Sequence, residues 1–271
     1  MLKKELVTLK IAGFIIEIIF IKSQEQENIE EVFVLLVKEY YKNFIFNQNS
    51  QKPDFRLQVV NNHNFNILKK RNKKSFFINL YEEKSNKVIE TFYHISTSHF
   101  QLIIRKITHD LLLKSGGFIV HASAAKVRNK AIIFLGNSGA GKSTIVTLLN
   151  NEFIPLGDDT VLIKKEEDTY YCYTSSAIEK NGWVLKSIKR HELSKAYFLI
   201  KSKSHNIKPI ISKEEVIQLI TAQIYSEEGT LSKHFKNVVS FVNEFKQFKY
   251  LHFSLENKQK LSKLIYNGER L

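Results

Sequence analysis

The stretch at residues 131–144 restricts the fold of this chain more than any other. Apolar, β-prone residues run as far as Leu135, and the following Gly-Asn-Ser-Gly-Ala-Gly-Lys-Ser matches the phosphate-loop pattern that begins at Gly136. That pattern requires a strand before it and a helix after it, and the apolar residues that follow Thr144 have helical spacing. The sequence therefore predicts a strand, a loop that binds nucleotide phosphates, and a helix.

The residue types of the loop suit this chemistry. Glycines let several backbone N–H groups converge on a polyphosphate, and the helix that starts near Gly141 adds the positive end of its dipole. Lys142 has the reach to contact the β- and γ-phosphates, and the hydroxyl of Ser143 is a ligand for Mg²⁺. The predicted nucleotide-binding residues are Gly136, Asn137, Ser138, Gly139, Ala140, Gly141, Lys142, Ser143 and Thr144.

Two adjacent carboxylates, Asp158 and Asp159, follow the predicted loop helix and an apolar return segment. One of them can contact Mg²⁺, and its neighbour can accept the proton of an incoming hydroxyl as a general base. Gly-Asp-Asp is also good turn chemistry, so a surface turn is the alternative. The apolar residues on both sides favour a strand end, and hence a functional pair.

A single histidine, His121, stands on the predicted strand before the loop. A strand histidine considered by itself is more often a satisfied core residue than a catalyst. The order in which His121, the loop and the two carboxylates follow one another along the chain favours a functional role for this histidine.

That order resembles a known family. His-Ala-Ser-Ala-Ala at residues 121–125, the loop, and Leu-Gly-Asp-Asp-Thr at residues 156–160 are similar to the carboxy-terminal kinase domain of HPr kinase/phosphorylase, and more distantly to phosphoenolpyruvate carboxykinase. The sequence most resembles the short bacterial HPr-kinase-like proteins of peptide-modification systems, including kinases that phosphorylate a serine of lasso-peptide precursors. The likeness begins near residue 98 and is sharpest at residues 121–160.

The resemblance implies a fold and a set of roles. The fold is an α/β phosphate-loop kinase domain with a mixed β-sheet and flanking helices, preceded by a small α+β domain. The implied donor is ATP with Mg²⁺, held by Lys142 and Ser143. Asp158 is the implied base, Asp159 the implied metal partner together with Ser143, and His121 an assisting group, although the division of work between the two aspartates stays open.

The resemblance has a limit. The glycine-rich signature with Glu and Arg that follows the aspartates in HPr kinase/phosphorylase is not recognisable at residues 175–186, where only Glu179 and Lys180 are of similar type. The resemblance therefore does not extend to the reverse, phosphorolytic reaction or to HPr as the substrate.

Hydrophobic periodicity divides the chain near residue 97. We expect a small α+β domain at residues 1–96, with a possible role in substrate recognition, and the kinase-like domain at residues 97–271. Periodicity predicts helices at 28–46, 100–113, 212–225, 234–248 and 255–266. Ser212 is the predicted cap of the third helix, with Glu215 at its third position. Sequence patterns predict strands at 6–21 (a hairpin that turns at Ala12-Gly13), 54–60, 75–81, 88–95, 118–127, 131–135, 153–163 (interrupted at Asp158 and Asp159), 170–174, 196–201 and 250–253, with a polar turn at 82–87.

Charge and cysteine content limit the cellular compartments and the binding partners to be expected for this chain. The net charge of +14 is spread along the chain and has no nucleic-acid-binding motif beside it, so a solvated basic surface is favoured over a nucleic-acid partner. The single Cys172 excludes an intramolecular disulfide and fits a reducing cytosol. No signal peptide or spanning helix is expected, so we expect a cytoplasmic protein without a membrane partner.

The sequence supports one leading function and two alternatives. The leading hypothesis is an ATP-dependent serine kinase that acts on a peptide or small protein. The alternatives are a small-molecule kinase at the same site and a nucleotide-dependent switch or binding protein with slow hydrolysis. A transporter-type ATPase and a GTPase are disfavoured, because the Leu-Ser-Gly-Gly-Gln and Asn-Lys-x-Asp motifs are missing.

Overall fold

The computed structural model describes residues 3–22, 27–47, 51–61, 68–72, 75–93, 95–177, 182–210, 212–227 and 229–268. Helices and strands are mixed along the whole chain, and the chain divides into two compact units, Met1–Leu111 and Leu112–Leu271. The domain limits of 1–96 and 97–271 stay predictions, as does a substrate-recognition role for the first domain. Glu179 and Lys180 lie outside the described residues. None of the described helices has the length and apolar character needed to span a membrane.

The first unit contains a five-stranded sheet and a separate two-stranded one. Its elements are β1 (Lys3–Ile11), β2 (Phe14–Lys22), α1 (Glu27–Tyr40), β3 (Phe55–Val60), β4 (Leu68–Asn72), β5 (Ser75–Ile78), β6 (Glu82–Ser85), β7 (Val88–Phe92) and α2 (Thr97–Lys114), the last of which contains the division between the units. The larger sheet has the order β1-β2-β3-β7-β6, and β4 pairs with β5. Ala12 and Gly13 form the predicted hairpin turn with φ values of 50° and 80°.

The predicted polar turn at residues 82–87 is wrong for its first four residues. Glu82–Ser85 forms β6, which pairs antiparallel with β7, and β5 pairs with β4 instead. The strand β6 lies at the sheet edge and is mostly exposed, so its residues lack the apolar alternation by which a strand is recognised.

The second unit is built on one large sheet. Its strands are β8 (Phe118–Val120), β9 (Ser123–Val127), β10 (Lys130–Leu135), β11 (Ile154–Gly157), β12 (Val161–Glu166), β13 (Thr169–Thr174), β14 (Arg190–Lys201), β15 (Asn206–Pro209) and β16 (Phe248–Phe253). Its helices are α3 (Lys142–Leu149), α4 (Lys213–Thr221), α5 (Leu231–Phe245) and α6 (Lys258–Gly268).

The pairing of these strands determines where a site can form. The order is β11-β9-β10-β14-β13-β12-β8, and β16 pairs with β14 and with β15. β14 runs parallel to both β10 and β16, so the carboxyl ends of these three strands lie at one edge of the sheet. In open α/β sheets this edge is where ligands bind.

The two faces of the sheet are covered by different helices. Along β10, Ile133 and Leu135 belong to one apolar cluster with residues of α4 and α5, whereas Ile132 and Phe134 belong to another with residues of α3 and α6. This alternation follows from the period of two in a strand. The result is a layer of helices on each face, and the loop between β10 and α3 follows a strand that is buried from Ala131 to Leu135.

Several predicted elements are shorter in the structure, among them the strand predicted at 118–127 and the helix predicted at 212–225. The strand predicted at 118–127 breaks at His121 and Ala122, because β8 pairs with β12 whereas β9 pairs with β10 and β11. The helix predicted at 212–225 begins with the predicted cap, in which Ser212 Oγ accepts from the Glu215 N–H at 3.3 Å, but it ends at Thr221. The residues after it turn to bond the edge of β8, where the Tyr225 N–H donates to the Ile119 carbonyl at 3.0 Å.

Candidate active site

The loop between β10 and α3 depends on two glycines for its shape. Gly136 and Gly141 have φ values of +148° and +101°. A Cβ at Gly136 would lie 2.8 Å from the Cβ of Ala140, and one at Gly141 would lie 2.6 Å from Cζ of Phe253. Both positions therefore exclude a side chain, and the backbone can approach a phosphate closely there.

The first turn of α3 has groups that suit an anion. The helix begins at Lys142, and the preceding Gly141 is in the left-handed conformation without a side-chain cap. Ser143 and Thr144 are exposed in this turn. The N–H groups of a helix start lack partners within the helix and carry the positive end of its dipole, which suits a phosphate.

Lys142 is held close to its own loop. Its side chain is only 6% exposed, and Nζ donates to the Gly136 carbonyl at 2.7 Å and to the Asn137 carbonyl at 3.4 Å. Burial lowers the pKa of the ammonium, and the negative charge of Asp159 opposes that effect. The Lys142 carbonyl accepts from the buried Ser123 hydroxyl at 2.7 Å, which fixes the start of α3 on β9.

The two carboxylates lie at the connection between β11 and β12. Asp158 is 2% exposed, whereas the side chain of Asp159 is half-exposed. His121, at the break between β8 and β9, places its Nδ1 3.0 Å from the Asp159 carbonyl oxygen and 3.2 Å from Asp159 Oδ1. The ring therefore contacts both the backbone and the side chain of the same aspartate.

These groups share one cavity of about 950 Å³. It is lined by His121, Ser138, Gly139, Gly141, Lys142, Ser143, Thr144, Asp158, Asp159, Lys201, Ser202, Lys203, Phe253, Ser254, Leu255 and Glu256. Of the predicted site residues, Gly136, Asn137 and Ala140 are not in its wall. They stabilise the loop instead. The carbonyls of Gly136 and Asn137 accept hydrogen bonds from Lys142, and Ala140 lies against Gly136.

Sequence reasoning missed two sets of residues near the loop, those at the carboxyl ends of β14 and β16 and, separately, Gln223. Lys201 and its neighbours, and the residues that follow Phe253, enter the cavity at the carboxyl ends of β14 and β16. The available signal was that each of these two stretches lies at the end of a predicted strand. The second omission is Gln223, whose Nε2 donates to Asn137 Oδ1 at 3.3 Å and whose carbonyl accepts from the His121 N–H at 2.7 Å.

Similarity to known proteins is limited to solved structures. No protein-family model and no curated protein matches the chain. Among solved structures, the Hpr(Ser) kinase/phosphatase from Coxiella burnetii is similar at 14% identity over 56% of this chain and 96% of that one, with a TM-score of 0.33. A likeness of that size does not establish a common family, so a functional assignment must rest on the geometry of the cavity.

Proposed function

We propose that this chain transfers the γ-phosphate of ATP to a hydroxyl group. The observation that carries the proposal is that the phosphate loop, with Lys142 and Ser143, shares one cavity with the carboxylates of Asp158 and Asp159. By itself, a loop of this kind accounts for nucleotide binding but not for phosphate transfer. The carboxylates add what transfer requires, a metal ligand and an acceptor for the hydroxyl proton.

The donor set fits Mg²⁺. A hydroxyl and carboxylates are the hard oxygen ligands that this ion prefers, and the glycines at 136 and 141 keep side chains away from the adjoining phosphates. Ser143 and Asp159 would hold the ion, because both side chains are exposed to the cavity. When bound, Mg²⁺ neutralises charge on the β- and γ-phosphates.

The reaction balances with Asp158 as the base. The acceptor oxygen forms a bond to the γ-phosphorus, the bond from that phosphorus to the β,γ-bridging oxygen breaks, and ADP leaves. The proton of the acceptor hydroxyl passes to the Asp158 carboxylate. Lys142 and the loop N–H groups stabilise the charge on the departing ADP, and His121 orients Asp159.

We propose a serine of a peptide or small protein as the acceptor. The support is the order of motifs at residues 121–160, which resembles that of HPr-kinase-like serine kinases. The half-exposed side chains of His121 and Asp159 are compatible with an acceptor that approaches from solvent. A small-molecule hydroxyl is the alternative acceptor for the same carboxylates.

Transfer of labelled γ-phosphate tests the function. The full chain is incubated with γ-labelled ATP, Mg²⁺ and a pool of serine-containing peptides, and label is counted both in peptide and as free phosphate. We expect label in peptide with the unaltered chain and with the exposed-site control Lys233→Ala, and none above background with Lys142→Ala. Release of free phosphate alone, with peptide and small-molecule hydroxyl pools alike, would favour a slowly hydrolysing switch and contradict the kinase proposal.

A further inference from the structure

The cavity has a second wall that the proposed reaction does not use. We call it the basic wall, and it consists of Lys201, Ser202 and Lys203 at the carboxyl end of β14 together with residues 253–256 at the carboxyl end of β16. Both lysines are exposed. Within the part of the chain that the structure describes, neither forms an ion pair, so both charges are available to a ligand.

The basic wall is held together as one surface. The Ser202 N–H donates to the Phe253 carbonyl at 2.9 Å. His205 joins the two connections, because its Nε2 lies 2.8 Å from the Glu256 carbonyl oxygen and its Nδ1 accepts from the Ser254 N–H at 3.4 Å. These contacts join the backbone that carries the two lysines to the residues that follow β16.

The wall is also continuous with the phosphate loop. The ring of Phe253 occupies the space beside Gly141, where a Cβ would come within 2.6 Å of its Cζ. A ligand bound by the loop at Gly141 therefore borders the basic wall directly.

The loop lies between two walls of opposite charge. In the sheet, β10 stands between β9 and β14. The connection with Asp158 and Asp159 follows β11, on the β9 side, whereas the basic wall follows β14 and its neighbour β16. A nucleoside triphosphate on the loop has two ends, and its reacting end must face the carboxylates if Asp158 is to take the acceptor proton.

We propose that the basic wall binds the nucleoside end of the donor. Lys201 and Lys203 contact the α-phosphate, and the Glu256 carboxylate accepts hydrogen bonds from the ribose hydroxyls, a role in which acidic residues serve in other nucleotide sites. This inference rests on the proposed function, since it takes the orientation of the donor from the position of Asp158. It adds the residues that distinguish a nucleotide from a bare polyphosphate.

Calorimetric titration with two probes tests the proposal. Mg²⁺–ATP reaches both the loop and the wall, whereas Mg²⁺–pyrophosphate fills the loop without reaching the wall. We expect the double variant Lys201→Ala/Lys203→Ala to bind ATP about tenfold more weakly and pyrophosphate within about twofold of the unaltered chain. The control Lys233→Ala/Lys236→Ala removes the same charge from exposed positions on α5 and should change neither affinity by more than about twofold.

A second variant tests the ribose contact. Glu256→Gln should weaken ATP but leave 2′,3′-dideoxy-ATP, which lacks both ribose hydroxyls, bound as before. Equal weakening of ATP and pyrophosphate by the double lysine variant, or unchanged binding of both, would overturn the proposal. If the unaltered chain binds ATP and pyrophosphate but the lysine variant loses neither, only this inference fails. If the unaltered chain binds neither probe, the proposed function fails with it.

Discussion

Nδ1 of His121 lies 3.2 Å from Oδ1 of Asp159 and 3.0 Å from the carbonyl oxygen of the same residue. The two residues are far apart in sequence and come from different connections of the sheet. One ring thus restrains both the backbone and the carboxylate of the proposed metal partner.

Removing the ring should therefore weaken metal use. We expect His121→Ala to raise the Mg²⁺ concentration for half-maximal phosphate transfer by about tenfold, as loss of a group that orients a metal ligand does elsewhere. A Mg²⁺ titration at saturating ATP measures this, with the exposed His99→Ala as the control. An unchanged Mg²⁺ requirement together with a lower maximal rate would instead give His121 a role in the transfer step.

Gly141 should tolerate substitution less well than Gly139. Both have positive φ, but a Cβ at Gly141 would contact the Phe253 ring, whereas a Cβ at Gly139 would meet no atom within 4 Å. We expect Gly139→Ala to lower the free energy of unfolding by about 1 kcal/mol, the cost of the backbone conformation alone. Gly141→Ala should cost more and should abolish ATP binding, as measured by denaturant titration and calorimetry. Equal effects of the two changes would show that Phe253 does not constrain the loop.

His191 should make the protein less stable in mild acid. It is buried on β14, and burial lowers its pKa, with Lys126 and Lys189 contributing in the same direction. Below the ordinary histidine pKa of about 6.5 the unfolded chain takes up a proton that the folded chain does not, so stability falls as the pH falls through that range.

The His191→Gln variant isolates this effect. We expect the loss of melting temperature between about pH 7.5 and about pH 5.5 to be smaller in this variant than in the unaltered chain. His99→Gln, at an exposed position, should keep the original loss. A pH dependence that is the same in all three proteins would rule out a buried, neutral His191.

Cys172 should be unreactive in the folded protein. It is fully buried on β13, and burial raises the pKa of its thiol to about 12. At about pH 8 we expect an aromatic disulfide reagent to modify the native protein at least about 100-fold more slowly than the protein in denaturant. Rapid modification of the native protein would contradict the packing of β13 between β12 and β14.

Local patterns predicted the parts of the structure that neighbouring residues determine. The strand, glycine loop and helix at 131–144 and the cap at Ser212 follow from short-range chemistry, and both are present in the structure. The edge strand β6 was missed because its side chains are polar and mostly exposed, so its sequence lacks the alternation of apolar and polar residues that indicates a strand.

The basic wall could not have been predicted in the same way. Lys201 and Glu256 line the same cavity as the phosphate loop only because β14 pairs parallel with both β10 and β16, and these strands are far apart along the chain. The sequence indicates each strand but not which strands are neighbours. The break at His121 has the same cause, since it is the change of strand partner that ends β8.

The central claim is that Asp158 takes the acceptor proton beside a phosphate loop, and one paired measurement tests it directly. ATP affinity and the rate of γ-phosphate transfer are measured on the same preparation of Asp158→Asn, with Asp168→Asn, at an exposed turn, as the control. The amide keeps the shape of the side chain but is not a base. We predict ATP affinity within about threefold of the unaltered chain and transfer slower by about 100-fold or more, with no change in the control. Transfer at the unaltered rate by Asp158→Asn would contradict the account.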